Sequence, residues 1–327
     1  MPEPGAIADA AALLVAGDVV AFPTETVYGL GADATNPRAI ARIFALKGRP
    51  TDHPLIVHVA DPASIGEWTQ VVPEQARALA ARFWPGPLTL ILPRSSRVPD
   101  AVTGGQDTVG IRCPSHPVAQ ALLRAFAQVG SGAVAAPSAN RFGHVSPTTA
   151  QHVREELGGE LMILDGGACE VGLESTIVDL SRGRPVLLRP GGISRAAIEA
   201  ALSEKLLERD AQAPRASGTL AAHYAPRTTL VLVQSTDMEE EIGAPANVAV
   251  LALREPQGDI RVTSWITGSS DPARYAHDLY ANLRTLDASG AKRIVVEAPP
   301  QLAGWEAVND RLARAASGRT DALDDEP

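Results

Sequence analysis

The chain has 327 residues, 45% of them hydrophobic and 20% charged, with a net charge of −9 and a pI near 5.3. This is an ordinary core-forming composition with room for two domains. No run approaches the ~18 apolar residues of a membrane span, and MPEPGAIADA carries no basic residue ahead of an apolar stretch, so neither an anchor nor a secretory signal is expected. Two cysteines, Cys113 and Cys169, are too few for a disulfide framework or a cysteine zinc site. The acidic balance argues against a surface built to grip nucleic-acid backbone. These features point to a cytoplasmic small-molecule enzyme.

In chain order, residues 7–16 read as an amphipathic helix closed by Gly17, and 19–22 as an apolar strand running into Pro23. Thr24, Glu25 and Thr26 place hydroxyls and one carboxylate at that strand's end. Gly29 and Gly31 are read as letting the backbone turn tightly or approach a ligand. Asn36 as N-cap, Pro37 at the first helical position and Gly48 past the end define a helix over 37–47, with Ile40, Ile43, Phe44 and Leu46 as its apolar face. Lys47 and Arg49 at its C-terminal end suit either the helix dipole alone or a phosphate or carboxylate ligand. Residues 55–59 read as a buried strand whose His58 is either a hydrogen-bonded strand residue or a ligand contact.

A helix is expected over 73–83, strands over 88–92 and 108–112, the latter ending in Arg112, and a helix over 117–127. The strand at 133–136 runs into Pro137-Ser138-Ala139-Asn140. Ser146-Pro147 is read as capping a helix to about Leu157. Strands at 161–164, 175–180 and 185–189 and a helix from Ser194 to about Leu202 follow. The alternation predicts an α/β class with a mixed sheet. Residues 204–226, rich in Pro, Ala, Gly and Ser without period, read as a linker, with His223 and Tyr224 at its end. Strands at 229–233, 248–253 and 293–297 with helices at 271–287 and 304–316 predict a second, smaller α/β unit. The expected division is 1–203, 204–226 and 227–327, with the acidic tail SGRTDALDDEP frayed.

The chain contains neither G-x-x-x-x-G-K-[ST] nor H-E-x-x-H. Gly29 to Ala34 imitates the G-x-G-x-x-A dinucleotide fingerprint, but its glycines fall well beyond Phe22 and the helix starts only after Asn36. No nicotinamide or flavin is therefore expected.

Several stretches, taken together, resemble the YrdC/TsaC family. They are PTETVYGLGADA, HPLIVHV, WPGPLTLIL, VGIRCP and GLESTIVDL, with the K-x-R of Lys47-Gly48-Arg49 and the S-x-N of Ser138-Ala139-Asn140. The resemblance covers about residues 5–203. Residues 213–226 and 227–316 resemble the linker and C-terminal domain of the longer branch, with His223-Tyr224-Ala225-Pro226 as its sign. It implies a YrdC-like twisted mixed sheet with flanking helices and a smaller C-terminal Rossmann-like α/β domain. It also implies L-threonylcarbamoyl-AMP synthesis from L-threonine, bicarbonate or CO2, and ATP with Mg²⁺. The product would pass to downstream tRNA threonylcarbamoyltransferase proteins that modify the adenosine next to the anticodon.

By the same resemblance, Arg112 would hold the threonine carboxylate in a forked pair, with Thr26, His58, Ser175 and the backbone near Ala136 around the rest of the amino acid. Lys47, Arg49 and Arg189 would hold phosphates. Thr108, Ser138, Asn140 and Ser146 would contact the nucleotide, and Tyr224 would close over it from outside either core. His53 stands where the family often has asparagine; an imidazole can still donate to a phosphate. Thr26 and Thr108 also suit plain strand positions, Ser146 a helix cap, and Glu174-Ser175 a turn. Two other readings are a carbamoyl-adenylate-forming hydrogenase maturation factor and a double-stranded RNA- or tRNA-binding module. Two cysteines disfavour the first, and the net charge of −9 disfavours the second. Neither stable nucleic-acid binding nor a membrane partner is expected.

Overall fold

The computed structural model describes residue 2 and residues 4–243, 247–257 and 261–317. The expected frayed tail from residue 318 lies outside the described residues. Two compact units are present: one comprises residues up to Phe142 with Pro147–Thr219, the other Gly143–Ser146 with the chain from Leu220 onward.

The first unit contains α1 (Pro4–Val15), β1 (Val20–Phe22), β2 (Gly29–Asp33), α2 (Pro37–Lys47), β3 (Ile56–Val59), α3 (Ile65–Trp68), α4 (Glu74–Phe83) and β4 (Leu88–Pro93). It continues through α5 (Asp100–Thr103), β5 (Thr108–Arg112), α6 (Pro117–Val129), β6 (Ala133–Ala136), α7 (Ala150–Leu157), β7 (Met162–Ile163), β8 (Thr176–Asp179), β9 (Val186–Arg189) and α8 (Arg195–Leu202). The strands form a nine-stranded mixed sheet in the order β7-β1-β2-β6-β3-β5-β4-β8-β9. On one face, Leu14 of α1 and Leu122 and Phe126 of α6 pack with Phe22 and Val134. On the other, Ile40 and Ile43 of α2 and Leu79 of α4 pack against Leu30, Val57 and Leu90. Burial of these side chains supplies the main driving force for the two layers.

Local chemistry sets α2 where the sequence places it. The Asn36 side chain accepts from the backbone N–H groups of Arg38 and Ala39 at 3.1 and 3.3 Å, and Gly48 turns the chain out at φ 62°. Two expectations are corrected. Gly29 and Gly31 do not form a turn: they lie inside β2, which pairs antiparallel with β1. The Phe22 ring lies against them, and a Cβ on Gly31 would meet Val134 Cγ1 at 2.6 Å and Phe22 Cε1 at 2.7 Å. Ser146 does not cap α7. The Pro147 carbonyl accepts from Tyr28 N–H at 2.9 Å and the Thr148 carbonyl from Cys169 N–H at 2.9 Å. The helix therefore begins only at Ala150, with the Thr149 hydroxyl accepting from His152 N–H. Gly31→Ala is expected to overpack this layer and lower stability by about 1–3 kcal/mol; a thermal melt equal to wild type would contradict that.

The second unit contains β10 (Thr229–Val233), α9 (Met238–Gly243), β11 (Val248–Ala252), β12 (Ser264–Thr267), α10 (Pro272–Asp287), β13 (Arg293–Glu297) and α11 (Glu306–Ala316). Its four strands are all parallel, in the order β10-β13-β11-β12. Sequence reading has no strand over β12, whose residues are part-exposed or exposed and whose two apolar side chains, Trp265 and Ile266, are adjacent rather than alternating. The expected fold class, a twisted mixed sheet with flanking helices plus a smaller parallel α/β domain, is what the molecule adopts. Among the described residues, no helix is long and apolar enough to cross a membrane.

Candidate active site

Strand register assembles one half of the site. His58 of β3 lies opposite Arg112 of parallel β5 and opposite Val134 of antiparallel β6, while Ile56 lies opposite Ala136. His58, Arg112 and Ala136 thus reach one region of the sheet from three neighbouring strands. The chain leaving β1 passes over the same region with Thr24, Glu25 and Thr26, all buried. Arg112 Nη2 donates to Glu25 Oε1 at 2.6 Å and to Thr26 Oγ1 at 2.8 Å. Glu25 Oε2 accepts from Ser115 N–H at 3.0 Å. Arg112 Nε is buried without a hydrogen-bond partner.

Thr24 Oγ1 donates to the Val27 carbonyl at 2.7 Å, accepts from the backbone N–H groups of Thr26 and Val27 at 3.2 Å each, and contacts Thr26 Oγ1 at 2.8 Å. Thr26 Oγ1 also accepts from Arg112 and keeps acceptor capacity for an N–H or O–H of a ligand.

His58 Nδ1 donates to the Ile56 carbonyl at 3.1 Å. Burial, and then the Arg112 charge, push its pKa down to about 3, so the ring is neutral at working pH. The unfolded histidine takes its proton near pH 6.5 and the native one near 3, so the native state loses stability as pH falls through that window. His58→Asn is therefore expected to lose about 2 kcal/mol less than wild type between pH 7.5 and pH 5. Parallel pH dependence of the two melting curves would refute this.

The second half gathers cations. Lys47, at the end of α2, is buried and donates from Nζ to the carbonyls of Ser138 and Asn140 at 2.6 and 2.5 Å. Burial, reinforced by Arg49 and opposed by Glu156, holds its ammonium well below the ordinary lysine range. The Pro137–Asn140 loop is in turn stitched to β2: Leu30 N–H donates to the Pro137 carbonyl at 2.9 Å and Ala139 N–H to the Tyr28 carbonyl at 2.8 Å. The S-x-N loop, the K-x-R helix end and the segment after Thr26 are thereby one connected piece of backbone.

Arg49 Nη2 donates to the Pro54 carbonyl at 3.0 Å and to Ser217 Oγ at 3.4 Å. Arg189 holds the Ser175 carbonyl through Nε at 3.2 Å and Nη2 at 2.9 Å, Ser175 Oγ through Nη2 at 3.2 Å, and the Ser217 carbonyl through Nη1 at 2.8 Å. His53 stacks edge-on against Phe142 with ring centroids 5.3 Å apart. Burial and the Arg49 charge lower its pKa, with Asp52 opposing. Thr108 lines a cleft with Pro54, Gln106, Arg215 and Ser217.

Three contributors stand outside the residues to which the sequence reading gave a site role. Thr89 Oγ1 contacts Ser175 Oγ at 2.7 Å; its signal was a hydroxyl in the otherwise apolar run LTLIL. Glu25 pairs with Arg112. Residues 213–219, read as part of a tether, lie on the first unit's sheet. Ala216 packs with Ile56, Ile91 and Leu188, and Arg215 exchanges hydrogen bonds with Gln106 at 2.7 and 3.2 Å.

Ser146 and Tyr224 belong to the second unit and are both buried. Tyr224 does not lie outside both cores as expected. Its ring stacks on Tyr280 at 5.8 Å, with the Arg311 guanidinium carbon 5.1 Å from its centroid, and its backbone is left-handed at φ 63°. Tyr224→Ala is accordingly expected to cost about 3 kcal/mol of stability through the cavity it leaves; an unchanged unfolding midpoint would contradict this.

A mixed sheet that brings a buried arginine–hydroxyl set beside a lysine–arginine set defines a YrdC-type domain. Residues 12–191 match the Sua5/YciO/YrdC family, described as telomere recombination, and residues 193–317 match the C-terminal domain of threonylcarbamoyl-AMP synthase. The chain is 41% identical to threonylcarbamoyl-AMP synthase of Bacillus subtilis, over 96% of this chain and 93% of that one. It is 38% identical to that of Pyrococcus abyssi, over 95% and 94%. The solved structure of P. abyssi Sua5 complexed with L-threonine superposes with a TM-score of 0.88 at 38% identity, covering 98% of this chain and 96% of that one. The chain belongs to the Sua5/YciO/YrdC family, in its two-domain threonylcarbamoyl-AMP synthase branch, and is an enzyme of the nucleotidyltransferase type.

Proposed function

We propose that the protein forms L-threonylcarbamoyl-AMP and pyrophosphate from L-threonine, bicarbonate or CO2, and ATP, for threonylcarbamoyl modification of tRNA adenosine next to the anticodon. The observation that carries this reading is the junction of two buried sets on one sheet. Arg112 and Thr26 stand on one side and Lys47 on the other, joined through residues 28–30 and 137–139, while Arg49 and Arg189 both reach Ser217. The P. abyssi relative solved with L-threonine supports the amino-acid assignment.

In this account Arg112 receives the threonine carboxylate. Thr26 Oγ1, an acceptor, takes an N–H of the amine, with His58, Ser175 and the Ala136 backbone around the side chain. The amine lone pair attacks the carbon of CO2 and loses a proton, giving a carbamate. A carbamate oxygen then attacks the α-phosphorus in line, the bond to the bridging oxygen breaks, and pyrophosphate leaves. The protein's part is positioning and neutralisation of charge. Lys47, Arg49 and Arg189 face the phosphates, and Thr108, Ser138, Asn140 and His53 serve the nucleotide. Exclusion of water protects the carbamate, which decarboxylates readily. Mg²⁺ would enter with ATP, held chiefly by its phosphates. The product goes to tRNA threonylcarbamoyltransferase proteins in the cytoplasm.

Incubation with ATP, L-threonine and ¹³C-bicarbonate tests the reading. A threonylcarbamoyl-adenylate carrying one ¹³C is expected by mass. An adenylate without the label, or none, would overturn it.

A further inference from the structure

Glu25 is a buried carboxylate to which nothing so far gives a role in the reaction. Both of its oxygens are used: Oε1 accepts from Arg112 Nη2 at 2.6 Å and Oε2 from Ser115 N–H at 3.0 Å. Its own carbonyl accepts from Val171 N–H at 2.7 Å, which fixes the backbone under the side chain. The ion pair is almost fully closed to solvent, with 5% of the arginine side chain and 3% of the glutamate side chain exposed. A pair desolvated to this extent holds its geometry firmly, because breaking it strands a charge.

We propose that Glu25 is the positioning residue for Arg112 in substrate recognition, and that by engaging Nη2 it reserves the buried Nε–H for the carboxylate of an incoming α-amino acid. Three observations support it. Nη2 is shared between Glu25 and Thr26, whereas Nε is buried and without a partner. A buried N–H without a partner is costly unless a ligand completes it. Glu25 also balances the arginine charge while no substrate is bound, so the site need not carry an uncompensated buried cation. When a zwitterion binds, its own carboxylate and ammonium add no net charge. The arrangement therefore suits amino acids rather than simple carboxylic acids.

This inference rests on the reading of Arg112 as the threonine-carboxylate residue, and the test separates the two. Glu25→Gln keeps the shape but removes the charge, and its one amide oxygen can accept from Arg112 Nη2 or from Ser115 N–H but not from both, so the clamp that holds Arg112 is lost in either orientation. Calorimetric titration of the full chain with L-threonine is expected to show at least about a tenfold weaker Kd for Glu25→Gln. ATP affinity should stay near wild type, while the unfolding midpoint should fall, because Arg112 is left as a buried cation without its counter-charge. Because the two residues act as a unit, the double variant Glu25→Gln/Arg112→Lys should bind threonine no worse than Arg112→Lys alone. A merely structural role would give losses that add and would move ATP affinity too; that outcome overturns the proposal. Wild-type threonine affinity in Glu25→Gln overturns it as well. Absence of threonine binding to the wild type overturns the functional reading itself. If Glu25→Gln melts below the assay temperature, Glu25→Asp, which retracts the carboxylate by one methylene, is expected to weaken threonine binding in the same pattern, and an unaltered Kd counts against the proposal.

Discussion

Arg112→Lys is expected to lower kcat/KM for L-threonine at least about thirtyfold, or ~2 kcal/mol, while the KM for ATP changes little. A lysine keeps the charge but not the planar fork. Arg112 serves Glu25 and Thr26 from one nitrogen and retains a second, buried N–H. A single ammonium cannot reproduce both edges. Substitution by alanine would be harder to read, because it leaves Glu25 as a stranded buried charge, which costs about 3–5 kcal/mol of stability. Steady-state kinetics with each substrate varied in turn decides the matter. A loss confined to the ATP KM would show that Arg112 belongs to the nucleotide.

Lys47→Met should lower kcat for pyrophosphate release at least about a hundredfold, the scale of removing one preorganised group that stabilises developing charge. It should leave threonine binding in the absence of ATP intact. The substitution also deprives the carbonyls of Ser138 and Asn140 of their shared donor, so about 1–3 kcal/mol of stability should go with it. A pH signature accompanies it. In the free protein the ammonium is disfavoured, so between its depressed pKa and the ordinary lysine range the unfolded chain holds the proton and the native one does not. Stability contributed at this position therefore falls as pH drops into that window. A bound triphosphate favours the charged form, so at a pH inside that window ATP binding should take up a proton, and calorimetry there in buffers of different ionisation enthalpy should show it for wild type and not for Lys47→Met. Unchanged turnover in Lys47→Met would remove the lysine from the reaction.

Local signals made α2 legible, because its cap, its proline and its left-handed glycine are all within a few residues of the element they define. The failures were tertiary. Gly29 and Gly31 look like turn residues until the Phe22 ring is known to lie on them. Ser146 looks like a cap until Pro147 is seen to bond Tyr28 instead of starting the helix. Tyr224 looks like a lid residue, and no periodicity announces Tyr280 and Arg311 as its neighbours. The site shows the same division. Residue types at Lys47, Arg49 and Arg112 could be singled out from the chain, but the pairing of Arg112 with Glu25, 87 residues away, is set by the sheet. The roles assigned to these residues came from motif resemblance, since composition and spacing alone left Lys47 and Arg49 open to a helix-dipole explanation.

The central claim is that one site couples an amino acid, a one-carbon unit and ATP. An omission series for pyrophosphate release tests it most directly. Release is expected with L-threonine, bicarbonate and ATP together, and only background when either threonine or bicarbonate is left out. Equal ATP cleavage without threonine would contradict it.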